Sequence, residues 1–540
     1  MIPRTTLIQI AKMIAEDIAR GTITDSVPIV GDALASDAEA MLTLLDLVAK
    51  EGSKKKPNGP LLDAYGLLFG EGLQALRYGI EHDNPQAQAI IASVRERIQA
   101  LSVEGTLPPE LLLVLLTHFA SARLDPGQEL QVLMGELMEQ APPPELSSDA
   151  LGALMSSLLQ DFAGDIFAIH GQLAEHAMVV PEAYRMGMVV GVLMADDAAV
   201  REVATGWLLD SSAMIRRETA AVFDQAASQD HVSGTMLRRM IAVRAWLPED
   251  ERPAVDAVIK ACRRKGVDMS PLVAGKLVSV MASGIDGSGS QSLFVLIKEG
   301  RKHAMASLLL KEGVGVRDAW VNHGMTKRQA EDMLEEIRFQ MDMFDISIDH
   351  LQQSLGHALS VNADSGVLPP FGLVDFLETI GLAMATPEPL PDEVLLARLI
   401  DAIPARKGGP ASVRRALKES AHWPTEYDFL ESWFDEGPEL DALLSDETLS
   451  LEQQCVLVLE QYLSSRRAIW AHRLCRVAET LRHCPQTAAD WIDFALVARE
   501  VASDRPLAEI PLMTIVAALT VNVYRGPASF VTSGIGSYPV

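Results

Sequence analysis

The sequence predicts an all-α protein, built as stacked antiparallel helical hairpins in an α-solenoid or a multi-lobed helical array. Three observations carry this. Hydrophobic residues make up 48% of the chain but aromatics only 5%, so the apolar content is mostly Leu, Ala, Val, Ile and Met. Leu, Ala and Met favour helices, whereas aromatic and β-branched residues favour strands. Between breaks, apolar residues recur at helical spacing, and the breaks themselves are short and rich in Pro and Gly.

The elements follow in order. Residues 1–140 form an N-terminal helical region, interrupted by the charged, exposed stretch Glu51–Pro60. Ala141–Asp149 (APPPELSSD) is a linker whose Ser147 or Ser148 caps the next helix. A second helical region covers 150–283, and Ser283–Gln291 (SGIDGSGSQ) is a flexible joint. A third region spans 290–385. In it, Thr326 and Gln329 make a capping box, and Ile337, Met341, Phe344, Ile348, Leu351 and Leu355 form a heptad stripe. The spacing predicts one long amphipathic helix over 327–358, which packs internally or serves as a homodimer seam. Thr386–Pro391 is the next break. A C-terminal helical region, itself broken at Pro404–Pro410, covers 390–524, and 525–540 is a Gly/Ser-rich flexible tail. No strand is expected, because Val-rich runs such as Met188–Leu193 lie inside longer helical patterns and strand–helix alternation is missing.

Ala198–Leu209 and Ala213–Ala227 read as a helix pair joined by the turn Asp210–Ser212, followed by a pair over Ser233–Trp246 and Pro248–Lys265. The phrase LLDSSAMIRRETAAVFDQAA resembles a HEAT repeat over about 195–265. Asp210, Ile215, Arg216, Ala220 and Ala221 occupy the turn acid, the aliphatic and Arg opening the second helix, and the small packing positions of that family. The resemblance implies an α-solenoid, in which each hairpin buries its apolar face against its neighbours.

The formal net charge of -27 disfavours nucleic acid and anionic membranes and attracts basic partners. Four cysteines in 540 residues do not make a disulfide framework. The N-terminus lacks the apolar core of a signal peptide. The apolar stretches Leu107–Ala120 and Ile510–Tyr524 fall short of the roughly 20 residues that span a bilayer. The expected location is the cytoplasm.

Motifs for chemistry are sparse. No G-x-x-x-x-G-K-[ST] occurs, and Gly313-Val314-Gly315 lacks a third glycine and a preceding strand. Ser288 and Ser290 do not fit G-x-S-x-G. In WAHRLCRVAETLRHC, His472, Cys475, Glu479 and His483 share one helix face, but eleven helical residues span roughly 16 Å. Only a pair such as His472 and Cys475 could share one ion, with other ligands from elsewhere. The alternative is a half-buried helix with small buried thiols. Asp342, Asp345 and Asp349 read as a weak cation site or a solvated face, and Asp161, Asp165, His170 and His176 match no catalytic template. No cofactor is expected.

The most informative feature is electrostatic. Residues 425–452 contain no Lys, Arg or His, while Glu426, Asp428, Glu431, Asp435, Glu436, Glu439, Asp441, Asp446, Glu447 and Glu452 are interleaved with Tyr427, Phe429, Trp433 and Phe434. Flanking basic residues (Arg414, Arg415, Arg466, Arg473, Arg476 and Arg482 among them) either neutralise this segment internally or leave it as a dock. The partner-binding candidates are therefore Tyr427, Phe429, Glu431, Trp433, Phe434, Asp435 and Glu436. The leading functional expectation is a non-enzymatic protein-interaction scaffold that binds a basic partner. The alternatives are an all-helical, metal-dependent enzyme, or a HEAT-like nucleic-acid-associated protein that uses the Arg-rich middle around Arg216, Arg238 and Arg239.

Overall fold

The computed structural model describes residues 2–20, 27–81, 84–122, 124–140, 155, 157–177, 182–273, 275–446, 448–487 and 490–525. The linker expected at 141–149 and the tail from 526 onward lie outside the described residues. The chain divides into two compact units, Met1–Trp207 and Leu208–Val540.

The first unit is helical among its described residues. Its helices are α1 (Arg4–Arg20), α2 (Val27–Ala35), α3 (Ala38–Gly52), α4 (Gly59–Glu81), α5 (Pro85–Val103), α6 (Pro109–Ser121), α7 (Gln128–Gln140), α8 (Ile166–Ala177), α9 (Glu182–Leu193) and α10 (Ala198–Val203). Helix α4 is central and packs against α1, α2, α3, α5 and α6. Its glycines permit that crowding: a Cβ on Gly70 would lie 2.7 Å from His118 Nδ1. The core is aliphatic, with Leu44, Leu68, Phe69, Leu116 and Phe119 fully buried. Fully burying such a side chain contributes about 1.5–3 kcal/mol.

The second unit opens with α11 (Ala213–Ser228), α12 (Gly234–Arg244) and α13 (Arg252–Arg264), close to the helices expected over 213–265. Ser212 caps α11 and Ser233 caps α12. Arg216 Nη1 donates to the carbonyls of Asp210 and Ser211 in the turn, while its Nε and Nη2 grip Glu251 at 2.6 and 2.7 Å.

The expectation of an all-α chain is overturned next. Five strands follow: β1 (Lys276–Ser283), β2 (Ser290–Glu299), β3 (Lys302–Lys311), β4 (Gly315–Met325) and β5 (Met343–Asp345). They form one antiparallel sheet in the order β4-β3-β2-β1-β5, so the protein is mixed α/β. Consecutive hairpins set the register. Glu299 pairs with Lys302 across a two-residue turn with Gly300 at φ +60, and Lys311 pairs with Gly315 around Gly313 at φ +72. The joint expected at Ser283–Gln291 is the ordered β1–β2 hairpin, and a domain boundary there would cut the sheet. Asp286 Oδ1 organises that loop by accepting from the backbone N–H groups of Ser288 and Ser290.

Both faces of the sheet are covered. Met281, Phe294, Leu296 and Met305 lie under α14 (Lys327–Gln340), whose Met333, Leu334 and Ile337 complete the layer together with Met325, Met341 and Met343. The other face carries Leu293, Val295, Ile297, Ala304, Ala306 and Leu308, all buried. It is closed by α15 (Ile348–Ser365) and α16 (Gly372–Ile380), which pack along β4.

The long helix expected over 327–358 does not form, which removes the proposed homodimer seam. The Thr326–Gln329 capping box does start α14, but Met341 is extended at φ -155 and ψ 154, and 343–345 pair with β1. Ser347 then caps α15 by accepting from the His350 N–H. The heptad stripe is a coincidence of a helix, a strand and a second helix: Ile337 and Met341 pack in the layer between α14 and the sheet, which does not include Phe344, Leu351 or Leu355.

His323 on β4 ties the sheet to α16, with Nε2 3.2 Å from Asp375 Oδ1. The hydrogen bond to Asp375 raises its pKa to about 9, against the opposing effect of burial, with the Asp375 and Glu299 charges adding to the rise. A raised folded-state pKa means stability that is fully present below about 6.5, the unfolded value, and lost as pH rises through about 9. The ring is 40% exposed and the pair is screened, so about 1 kcal/mol is expected. Denaturation midpoints should fall between pH 6.5 and 9. The same fall in His323→Gln would remove this assignment.

Helices α17 (Asp392–Ala402), α18 (Pro410–Glu419), α19 (Pro438–Leu444), α20 (Leu451–Leu457), α21 (Arg467–Arg482), α22 (Trp491–Ala502) and α23 (Pro511–Arg525) complete the unit. No helix among the described residues is long and apolar enough to cross a membrane.

Candidate functional site

The acidic–aromatic segment separates into two layers. Residues 423–432 fold as two short 3-10 turns, Trp423–Thr425 and Asp428–Ser432. These turn the aromatic rings inward. Trp433 is 0% exposed and its Nε1 donates to the Ile285 carbonyl at 2.8 Å. Phe429 presses on the β1–β2 loop, where a Cβ on Gly284 would lie 2.2 Å from its ring. Tyr427 donates to Asp490 at 3.1 Å and meets Phe344, Phe429 and Phe494. Trp433 is core, while Tyr427 and Phe429 are half-buried and committed to these internal contacts. Phe434 is half-buried. Asp435 is also internal: burial raises its pKa, against the opposing charge of Arg466 2.8 Å away.

The outer layer is different. Glu426, Asp428, Glu431, Glu436, Glu439, Asp446 and Glu452 are exposed, and none of them forms an ion pair among the described residues. Four flanking cations are committed elsewhere: Arg415 to Asp493, Arg473 to Glu312, Arg476 to Asp392, and Arg482 near Glu479. Arg466 turns back to Asp435, and Arg525 Nη2 donates to the Leu449 carbonyl. The side chain of Asp441 and all of Glu447 lie outside the described residues.

A second site lies between α15 and α21, where the start of α17 closes it. A cavity of about 100 Å³ is lined by Gln291, Lys311, Ser354, His357, His472 and Arg476, among others. A smaller one of about 20 Å³, bordered by His350, Gln353, Arg476, Glu479 and Thr480, adjoins it. Helical spacing brings His472, Arg476, Glu479 and His483 of α21 to this side one turn at a time.

Each group has a definite partner or lack of one. His472 Nδ1 is 2.8 Å from both Asp392 oxygens, and Arg476 Nη2 donates to Asp392 at 3.1 Å, to the Leu390 carbonyl at 2.6 Å and to His357 Nε2 at 2.9 Å. Burial alone would raise the Asp392 carboxyl, but His472 and Arg476 hold it below the ordinary range. Burial, and then the Arg476 charge, push His357 down to about 4, so its ring is neutral at pH 7.

The pairing of His472 with Cys475 on one ion is corrected here. His472 is occupied by Asp392, and burial pushes the Cys475 thiol up to about 12, leaving it protonated where a ligand must be a thiolate. A different set converges instead. His350 of α15 joins Glu479 and His483 of α21, with one ligand atom from each lying within 4.8 Å of the others. The Glu479–His483 spacing is visible in the sequence, but His350 comes from more than a hundred residues upstream, and only the fold brings it in.

The remaining candidates are structural. Asp342 accepts from the Phe429 N–H, while Asp345 binds Arg338 and Gln486. Asp165 caps α8 by accepting from Phe167 and Ala168, and His170 is buried against Trp207. The side chain of His176 lies outside the described residues. Ser288 hydrogen-bonds to Asp286 and Ser290, with no histidine in its bonds. The Arg-rich middle is largely neutralised: Arg216 pairs with Glu251, Arg217 with Asp250, Arg238 and Arg239 with Glu378, and Arg244 with Asp256.

Three family models match parts of the chain. Residues 181–266 match the Y4lR second domain, residues 273–377 a domain of unknown function (DUF7401), and residues 393–525 the Y4lR C-terminal helical domain. The DUF7401 match contains the whole sheet. The chain is similar to the uncharacterized protein y4lR of Sinorhizobium fredii, 24% identical over 472 residues that cover 85% of this chain and 88% of that protein. No solved structure matches.

Proposed function

We propose that the protein is an interaction scaffold whose C-terminal acidic face, over residues 426–452, binds a partner with a basic surface. One observation carries this reading: seven exposed carboxylates of that segment make no ion pair among the described residues, while Arg415, Arg473 and Arg476 are paired away from it. A field of one sign speeds encounter with an opposite charge and rejects like charge. The buried aromatic layer beneath supports the reading in another way, because it holds the face on a packed platform. The hairpins over 213–264, with the Arg216 turn, are read as HEAT-like and would offer a separate protein-binding surface.

Charge reversal tests this. Glu431→Lys, Glu436→Lys and Glu439→Lys together should weaken salt-sensitive capture of a partner from native extract by about tenfold. Stability should change by no more than about 0.5 kcal/mol for each surface site. Asp435 is left alone, since it holds Arg466 inside the fold. Partner capture that is unchanged by the triple variant would end the proposal.

A further inference from the structure

We propose that His350, Glu479 and His483 bind one divalent transition-metal ion, with zinc best matched to the ligand set, and that the ion fastens the end of α21 to the start of α15. Two imidazoles and a carboxylate are a ligand set zinc accepts, and three protein ligands leave a fourth position for water or a small ligand. The adjoining small cavity, bordered by Gln353 and Thr480, lies on that side.

Several features point to an ion rather than to ordinary packing. The donor atoms lie within 4.8 Å of one another, against roughly 3.3 Å between ligands at zinc bond lengths, so side-chain rotation can close the set. His350 is 4% exposed and its Nδ1 has no hydrogen-bond partner; Glu479 Oε2 is also buried without a hydrogen bond, with Arg482 Nη1 3.7 Å away. Buried polar atoms are normally satisfied, so the unpartnered His350 nitrogen beside a carboxylate asks for a ligand.

An outer layer is also present. His350 Nε2 lies 3.4 Å from Thr480 Oγ1, and His483 Nδ1 lies 3.5 Å from Ser347 Oγ, the residue that caps α15. Hydroxyl partners of this kind orient ligating imidazoles. The two rings now stack at 4.6 Å with an interplanar angle of 11°. Parallel rings cannot aim in-plane lone pairs at one point, so binding must rotate one of them. His483 is 31% exposed at the end of α21 and is free to turn, whereas His350 is held by its burial.

The test uses the full chain, stripped with a chelator and then titrated with Zn²⁺ against a competing dye, with metal content measured after gel filtration. One equivalent per chain is expected, and Co²⁺ in its place should show the visible bands of a tetrahedral centre. His483→Gln, at a half-exposed helix end, and Glu479→Gln should each weaken zinc affinity at least tenfold, while His422→Ala, on an exposed histidine elsewhere, should not. Circular dichroism of the stripped variants checks that they fold. Zinc below half an equivalent, or one equivalent held equally well by folded His483→Gln and Glu479→Gln, overturns the assignment.

Discussion

Replacing Glu378 with alanine is expected to destabilise the second unit by about 3–5 kcal/mol, the range for breaking a buried ion pair by removing one partner. Glu378 sits on α16 and receives two guanidinium groups from α12: Arg238 at 2.8 Å and Arg239 at 2.9 Å. All three side chains are largely buried, at 17%, 12% and 8% exposure. The alanine variant removes the carboxylate that the two guanidinium groups share. Arg238 keeps one other contact, to the Ser270 carbonyl at 2.7 Å. Chemical denaturation of the variant measures the loss. A companion variant separates stranded charge from lost attraction: Arg238→Met, Arg239→Met and Glu378→Leu together should recover most of the stability. A loss below about 1 kcal/mol in Glu378→Ala would mean the cluster is solvated and exposed.

Trp433→Ala should cost about 3–5 kcal/mol, the range for large aromatics removed from a core. The indole is wedged between Phe429 and Trp470, with ring centroids 6.2 and 5.7 Å away, and it caps the Ile285 carbonyl of the β1–β2 loop. Losing it opens a cavity and orphans that carbonyl. Trp433→Phe keeps most of the packing and should cost about 1–3 kcal/mol, chiefly from the unsatisfied carbonyl. Thermal or denaturant unfolding reads both. Were Trp433 an anchor for a partner, the alanine variant would lose binding and keep its stability, so the two measurements together decide which layer the residue belongs to.

The helices were legible where the usual signals act locally. Asp197, Ser212, Ser233 and Thr326 each cap the helix that follows them. The sheet was not legible, for a physical reason. β3 reads KHAMASLLLK and is buried nearly throughout, because helices cover both faces. Strand alternation exists only where one face meets water. A continuous run of Ala, Met and Leu therefore passes for a buried helix. The hairpin turns at Glu299–Lys302 and around Gly313 are the available signal, each tightening on a glycine at positive φ. In the acidic segment the sequence leaves internal neutralisation and an exposed dock both open, and spacing does not say that Phe429 and Trp433 point inward, since 3-10 turns form there. The metal triad depends on His350 meeting α21, a long-range pairing no local pattern encodes.

The layer between α14 and the sheet contains six thioethers, from Met281, Met305, Met325, Met333, Met341 and Met343. Such side chains adapt to irregular gaps, and they also react with peroxide to give polar sulfoxides. Met333, Met341 and Met343 are only partly covered and would meet an oxidant first. Each sulfoxide would drive a wedge of polarity under a helix that buries just Ala330 fully. The opposite face, with Leu293, Val295, Ile297 and Leu308, has nothing to oxidise. The sheet thus has one chemically inert side and one side whose grip on its covering helix depends on the redox state of its surroundings.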